Sequence, residues 1–246
     1  MSGHSKWSTI KRKKGLKDAQ KGKIFSKLSR LITLSVSEGG GFPDPTKNVK
    51  LRLAVEKARQ ANMPKDNIQR AIEKGSGPGS QALQETIYEG FGPEGSALLV
   101  QVTTDNANRS HSEVRRIFDK YGGKIGGQGS VSYLFKKCGL ITFSKKQNSE
   151  DKILQFAEAI NAFDIEESGE GMLVYFPFEN LGKVAGLVTE LVPESSAEVD
   201  YKTLSTIKID DAQKAKKILQ FIERLEDHDD VHNVYGNFEI PDELMS

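Results

Sequence analysis

"LITFSKKQNSEDKILQFAEAINAFDIEESGEGMLVYF" (residues 140–176) decides the fold class. Its first five residues read as a strand. Ile153, Phe156, Ala157 and Ile160 then recur at helical spacing, residues 162–166 read as a second strand and "MLVYF" as a third. Further along, Leu181, Val184 and Val188 mark a second helix, and residues 197–202 a fourth strand. The order β-α-β-β-α-β is the ferredoxin-like arrangement, which closes on itself as an autonomous two-layer unit.

The segments flanking this unit are incomplete alone. Before it, "ETIYEGF" and "SALLVQVTT" flank the turn "GPEG" as a β-hairpin. Asn106 caps a helix with Val114, Ile117, Phe118 and Tyr121 on one face, and "YGGKIGGQG" ends it before a strand "SVSYLF". After it come a helix carrying Ala215, Ile218, Leu219, Ile222 and Leu225, and a last strand "VHNVYGNFEI". These orphan elements complete one another. The ferredoxin-like unit (139–205) is therefore read as an insertion into a discontinuous α/β domain (81–138 and 206–246).

Further out, the Gly/Ser/Pro run "EKGSGPGSQA" (73–82) sets a boundary near residue 80. The head before it (1–80) reads as all-helical. Ile24, Leu28, Leu31 and Ser35 share one helical face and Leu51, Val55 and Ala58 another, with "GGGFPDP" between them. A third, short helix starts after Asn62 and Pro64, buries Ile68, Ala71 and Ile72, and is expected to stop at Gly75. The expected class is α+β: an N-terminal all-helical domain followed by two α/β domains, one ferredoxin-like and inserted into the other.

Charge divides the chain more sharply than hydropathy. The first 74 residues hold 18 Lys/Arg against 6 Asp/Glu, and the remaining 172 hold 17 against 28. The insertion alone, 139–205, holds five against twelve, so phosphate should repel it. The opening "MSGHSKWSTIKRKKGLKDAQKGKIFSKLSR" has ten basic side chains, one acid and the only tryptophan, a composition suited to a phosphate backbone. Lys6, Lys11, Arg12, Lys13, Lys14, Lys17 and Lys21 are candidate phosphate contacts. Lys23, Lys27 and Arg30, at spacings of four and three, are expected to form an outward ridge beside the apolar stripe. Trp7 either stacks on an exposed base or packs back on the head. Arg109, Arg116 and Lys120 offer a possible second surface, although ordinary solvent-facing charges explain them as well.

Other chemistries lack the necessary residues. One cysteine, Cys138, excludes an internal disulfide framework. His228 and His232, four apart in "HDDVH" beside Asp229 and Asp230, fall between a helix end and a strand with no third ligand in view, so no metal or other cofactor is expected. "GGKIGGQGS" lacks the Walker lysine-serine ending and reads as a turn. No hydrolase, kinase or dehydrogenase signature is present, so neither catalysis nor a small-molecule substrate is expected. The N-terminus lacks the apolar stretch of a secretory signal and no run of about 18 apolar residues occurs, so a cytoplasmic protein without membrane contact is expected. No pattern in the sequence fixes an oligomeric state.

"GHSKW" (3–7), "KGKIFSKL" (21–28), "NMPKDNIQRAI" (62–72), "YEGFGPEG" (88–95), "TDNANRSHSEVR" (104–115) and "GGQGSVSYLF" (126–135) together resemble the YebC/PmpR family, in order, from residue 3 to at least 239. The resemblance implies a helical domain and two α/β domains, one inserted in the other. It also implies a cytoplasmic protein labelled a probable transcriptional regulator, with DNA binding attributed to some members. Other members are translation factors: a mitochondrial relative activates synthesis of a respiratory-chain subunit, and bacterial relatives are linked to relieving ribosomes stalled on proline-rich sequence. Ser2 stands where the family usually has Ala, and "TIKRKK" where it has "NIKHRK"; Arg12 in place of histidine keeps the positive charge. The expected function is nucleic-acid-binding regulation of gene expression, as a DNA-binding transcriptional regulator or, alternatively, as a translation factor on ribosomal RNA.

Overall fold

The structure, a computed structural model, describes residues 18–77, 83–168, 171–191 and 195–244. In the head, α1 (Asp18–Glu38), α2 (Val49–Gln60) and α3 (Lys65–Ser76) enclose Leu28, Ile32, Leu51, Val55, Ile68 and Ile72. Asn48 joins two of them: its Oδ1 accepts the Leu51 N–H at 3.0 Å, capping α2, and its Nδ2 donates to the Ser35 carbonyl at 2.7 Å on α1. Gly75, expected to end α3, lies inside that helix. A Cβ there would sit 2.7 Å from both the Thr33 carbonyl oxygen and the Val36 Cβ, so this glycine permits close approach of α1 and α3.

β1 (Gln84–Phe91) and β2 (Ala97–Thr104) form the expected hairpin, in register from Gln84 opposite Thr104 to Phe91 opposite Ala97. Glu94 and Gly95 turn it with φ of 59° and 76°. The Asn106 side chain accepts the Arg109 N–H at 3.1 Å to start α4 (Ala107–Lys120), and β3 (Lys124–Ile125) then pairs with β1. The expected strand "SVSYLF" is not one: residues 132–134 make a 3-10 turn, and β4 (Phe135–Ser144) begins only at Phe135. The cause is Glu89, buried on β1. Its carboxylate accepts N–H bonds from Gly129, Val131 and Ser132, each at 2.8 Å, which curls the segment onto one side chain. Burial alone would raise the Glu89 carboxyl, but these three N–H groups hold it below the usual range.

From β4 the chain runs through α5 (Glu150–Ala159), β5 (Asp164–Ser168), β6 (Gly171–Pro177), α6 (Leu181–Leu191) and β7 (Ser196–Thr203). The sheet order is β5-β6-β4-β7, with β6 antiparallel to both β4 and β5. The first and third strands are central, which is the ferredoxin-like order.

β8 (Ile207–Lys208), α7 (Ala212–Glu226), β9 (Val231–Gly236) and β10 (Phe238–Glu239) follow. The expected single last strand is split at Asn237, whose side chain accepts the Ala97 N–H at 2.7 Å. β9 extends the hairpin sheet to the order β3-β1-β2-β9, while β10 pairs in parallel with β8. α4 and α7 cover one face of the larger sheet, with Phe118 and Phe221 edge to face at 5.0 Å. Segments before and after the insertion thus share one sheet and one core.

By contacts the chain forms two compact units. One is Lys136–Lys202, and the other joins the described residues up to Phe135 to those from Thr203 onward. The boundary near residue 80 marks a change of sequence pattern, yet the described head residues and the β3-β1-β2-β9 sheet belong to one unit. Among the described residues no helix is long and apolar enough to cross a membrane.

Candidate nucleic-acid interface

α1 carries the described part of the basic set; Lys6, Trp7, Lys11, Arg12, Lys13, Lys14 and Lys17 lie outside the described residues. Lys21 and Lys23 are exposed. Lys27 and Arg30 do not continue that ridge outward. The Lys27 ammonium donates to the Glu226 carbonyl and, at 2.8 Å, to that of Val231. The Arg30 guanidinium pairs with the buried Asp230 carboxylate. The spacing places all three cations beside the apolar stripe, as expected, but the flank bearing Lys27 and Arg30 meets the turn between α7 and β9.

Asp230 is the centre of this contact. Besides Arg30, its carboxylate accepts from the Ser110 hydroxyl at 2.6 Å and from Arg109 Nη2 at 3.1 Å, and its carbonyl accepts the Thr103 N–H at 2.9 Å. Burial alone would raise this carboxyl, but Ser110, Arg109 and Arg30 together hold it down to about 2. One aspartate from the C-terminal segment thus joins the head's α1 to the start of α4. Each partner satisfies part of a charge that would be costly to bury alone.

The histidines flank this centre. His228 Nε2 is 2.9 Å from Glu113 Oε2, and its Nδ1 accepts the Asp230 N–H at 3.1 Å. Glu113, His228 and Asp230 therefore converge, whereas the sequence pairing of His228 with His232 does not. Two guanidiniums already occupy the Asp230 oxygens, and they disfavour a further cation there. His232 is half-buried, its Nε2 shielded from solvent without a hydrogen-bond partner. Burial first, then the charges of Lys27, Lys57 and Arg30, push its imidazole down to about 3.

The possible second surface on α4 is also incomplete. Arg109 is exposed like Arg116 and Lys120, but its guanidinium is tied to Asp230 and, at 2.9 Å, to Asp105. In the Lys136–Lys202 unit, the sheet face bearing Leu173 and Tyr175 is closed. The Lys202 ammonium lies 3.7 Å from the centroid of Tyr175 and binds Asp164 at 2.7 Å and Glu166 at 2.5 Å. Cys138 is buried there, and burial pushes its thiol up to about 12.

Sequence reasoning did not find Asp230 as a hub or Glu89 as a loop anchor. "HDDVH" marks a polar turn, but nothing local distinguishes Asp230 from the exposed Asp229 beside it. Their partners lie up to about 200 residues away, as with Arg30 and Asp230.

Comparison with known proteins gives a consistent result. Residues 5–78 match the family model described as the TACO1/YebC protein N-terminal domain, and residues 83–238 match that of the TACO1/YebC second and third domain. A protein of Rubrobacter xylanophilus is 46% identical over 249 residues, covering 100% of this chain and 98% of its own. One of Syntrophus aciditrophicus is 47% identical over 248 residues with the same coverage. Both are named probable transcriptional regulatory proteins. The crystal structure of a conserved hypothetical protein from Aquifex aeolicus matches with a TM-score of 0.83 at 41% identity, over 93% of this chain and 94% of that one.

Proposed function

This chain belongs to the TACO1/YebC family, a family of regulators by the names its members carry, and from that membership we propose that it regulates gene expression by binding DNA in the cytoplasm. The observation that carries the nucleic-acid reading is the charge of the head. Residues 1–17 hold six Lys/Arg and no acid, and α1 continues them with the exposed Lys21 and Lys23. Lys6, Lys11, Arg12, Lys13, Lys14 and Lys17 supply the remaining phosphate contacts and Trp7 a stacking ring. Lys27 and Arg30 act differently: held by the sheet domain, they fix the direction in which α1 presents its basic end. Arg116 and Lys120 are a secondary contact. The acidic insertion stays away from phosphate. The protein works by binding and carries out no chemical step.

The test is footprinting on promoter fragments at about 150 mM salt, alongside co-sedimentation with ribosomes from the same cells. Protected sites that persist at this salt, together with absence from ribosomal fractions, are expected. Engagement of six to ten cations predicts that affinity falls by roughly 10³ or more between about 50 and 200 mM salt. Ribosomal enrichment without protected DNA would replace the transcriptional reading by the translational one.

A further inference from the structure

Glu89 and Phe91 stand two residues apart on β1 and so belong to the same face of the sheet. Lys124 is opposite Phe91 in the β1–β3 register and shares that face. Residues 126–132 fold over Glu89: the Gly126 N–H bonds its carbonyl at 2.9 Å, and Gly129, Val131 and Ser132 bond its carboxylate. Val131 is wholly buried, so the segment is anchored from below as well. On this fixed support, Tyr133 is 67% exposed and Phe91 42%. Lys124 is exposed and has no carboxylate partner among the described residues. Other exposed aromatics among the described residues include Phe42 and Phe163, and Phe163 already carries the Lys136 ammonium 3.9 Å from its centroid.

Exposed rings on a rigid backbone, accompanied by an unneutralised lysine, are the elements that hold unpaired bases. Stacking needs a free base face, which a duplex does not offer. The carboxylate of Glu89, on the same face as Phe91, is consumed by backbone N–H groups, which leaves Lys124 as an unneutralised charge for phosphate. We propose that Phe91, Lys124 and Tyr133 form a second site, one that binds an unpaired stretch of nucleic acid, with bases on the two rings and Lys124 on the intervening phosphate. The proposal rests on the nucleic-acid function argued above and adds to it a preference for single strands.

The experiment measures anisotropy of fluorescein-labelled dodecamers with the full chain: pyrimidine-rich single-stranded RNA and DNA, and a blunt DNA duplex. Phe91→Ala and Tyr133→Ala should each weaken single-strand binding by roughly five-fold to 150-fold. Duplex binding through the basic head should stay unchanged, and Phe91→Tyr and Tyr133→Phe should match the parent protein. Lys124→Glu, at an exposed position, gives the same selective loss and serves if an alanine variant melts early. Parent-like single-strand affinity in these variants, or equal losses on single strand and duplex, would overturn the site. A parent protein that binds none of the three probes would overturn the nucleic-acid function with it.

Discussion

At the scale of single residues, two titratable groups at the α1 contact, His232 and Asp230, contribute to the acid stability. The His232 imidazole, near 3 rather than 6.5, refuses a proton that the unfolded chain accepts. Its contribution is complete above about pH 6.5 and is lost as pH falls toward 3, by up to about 1.4 kcal/mol per pH unit. The Asp230 carboxyl, near 2 rather than 3.8, contributes above about pH 3.8 and is lost as pH falls through 2. Urea midpoints should therefore be level above pH 7 and decline from pH 6.5 downward. His232→Gln should flatten the decline between pH 6.5 and 4 while keeping the drop below it. An unchanged slope in that variant would remove His232 as the cause. Neither shift is legible in sequence, because each depends on residues from α1 that reach the site only after folding.

At the scale of elements, legibility followed the range of the interaction. The β1–β2 hairpin and the α4 cap were readable because their determinants, the "GPEG" turn and Asn106, lie within a few residues of what they control. "SVSYLF" was misread because its strand-like composition is overruled by Glu89, some 40 residues earlier. Gly75 was misread because a stop signal and a close-approach glycine look alike without the partner helix. The Glu89 anchor makes a direct prediction. Glu89→Ala should remove the hydrogen-exchange protection of the Gly129, Val131 and Ser132 amides while amides within α7 keep theirs. Retained protection at those three positions would show that the loop is held by Val131 burial instead. The charge of the basic head was readable in full, whereas the use of Lys27 and Arg30 was not, since spacing locates a cation on a helix without revealing what meets it.

At the scale of the whole molecule, acidic and basic character fall into different parts of the chain, and so do their expected roles. A fragment of residues 136–202 contains every strand of the β5-β6-β4-β7 sheet, apart from the first residue of β4 and the last residue of β7. It should fold alone with a cooperative urea transition and bind no oligonucleotide; a broad, non-cooperative transition would mean that it needs its host. The host makes the complementary case. Where the insertion leaves and returns, the Leu204 N–H donates to the Leu134 carbonyl at 2.7 Å, so entry and exit are one hydrogen bond apart. The rest of the chain therefore meets the whole insertion as a loop whose ends are already joined. Closing that loop costs an entropy that grows only with the logarithm of its length while it is unfolded, and little once it has folded. The insertion is thus spliced in at a single point: evolution or an engineer can exchange, enlarge or delete it through two neighbouring residues without redrawing the β3-β1-β2-β9 sheet.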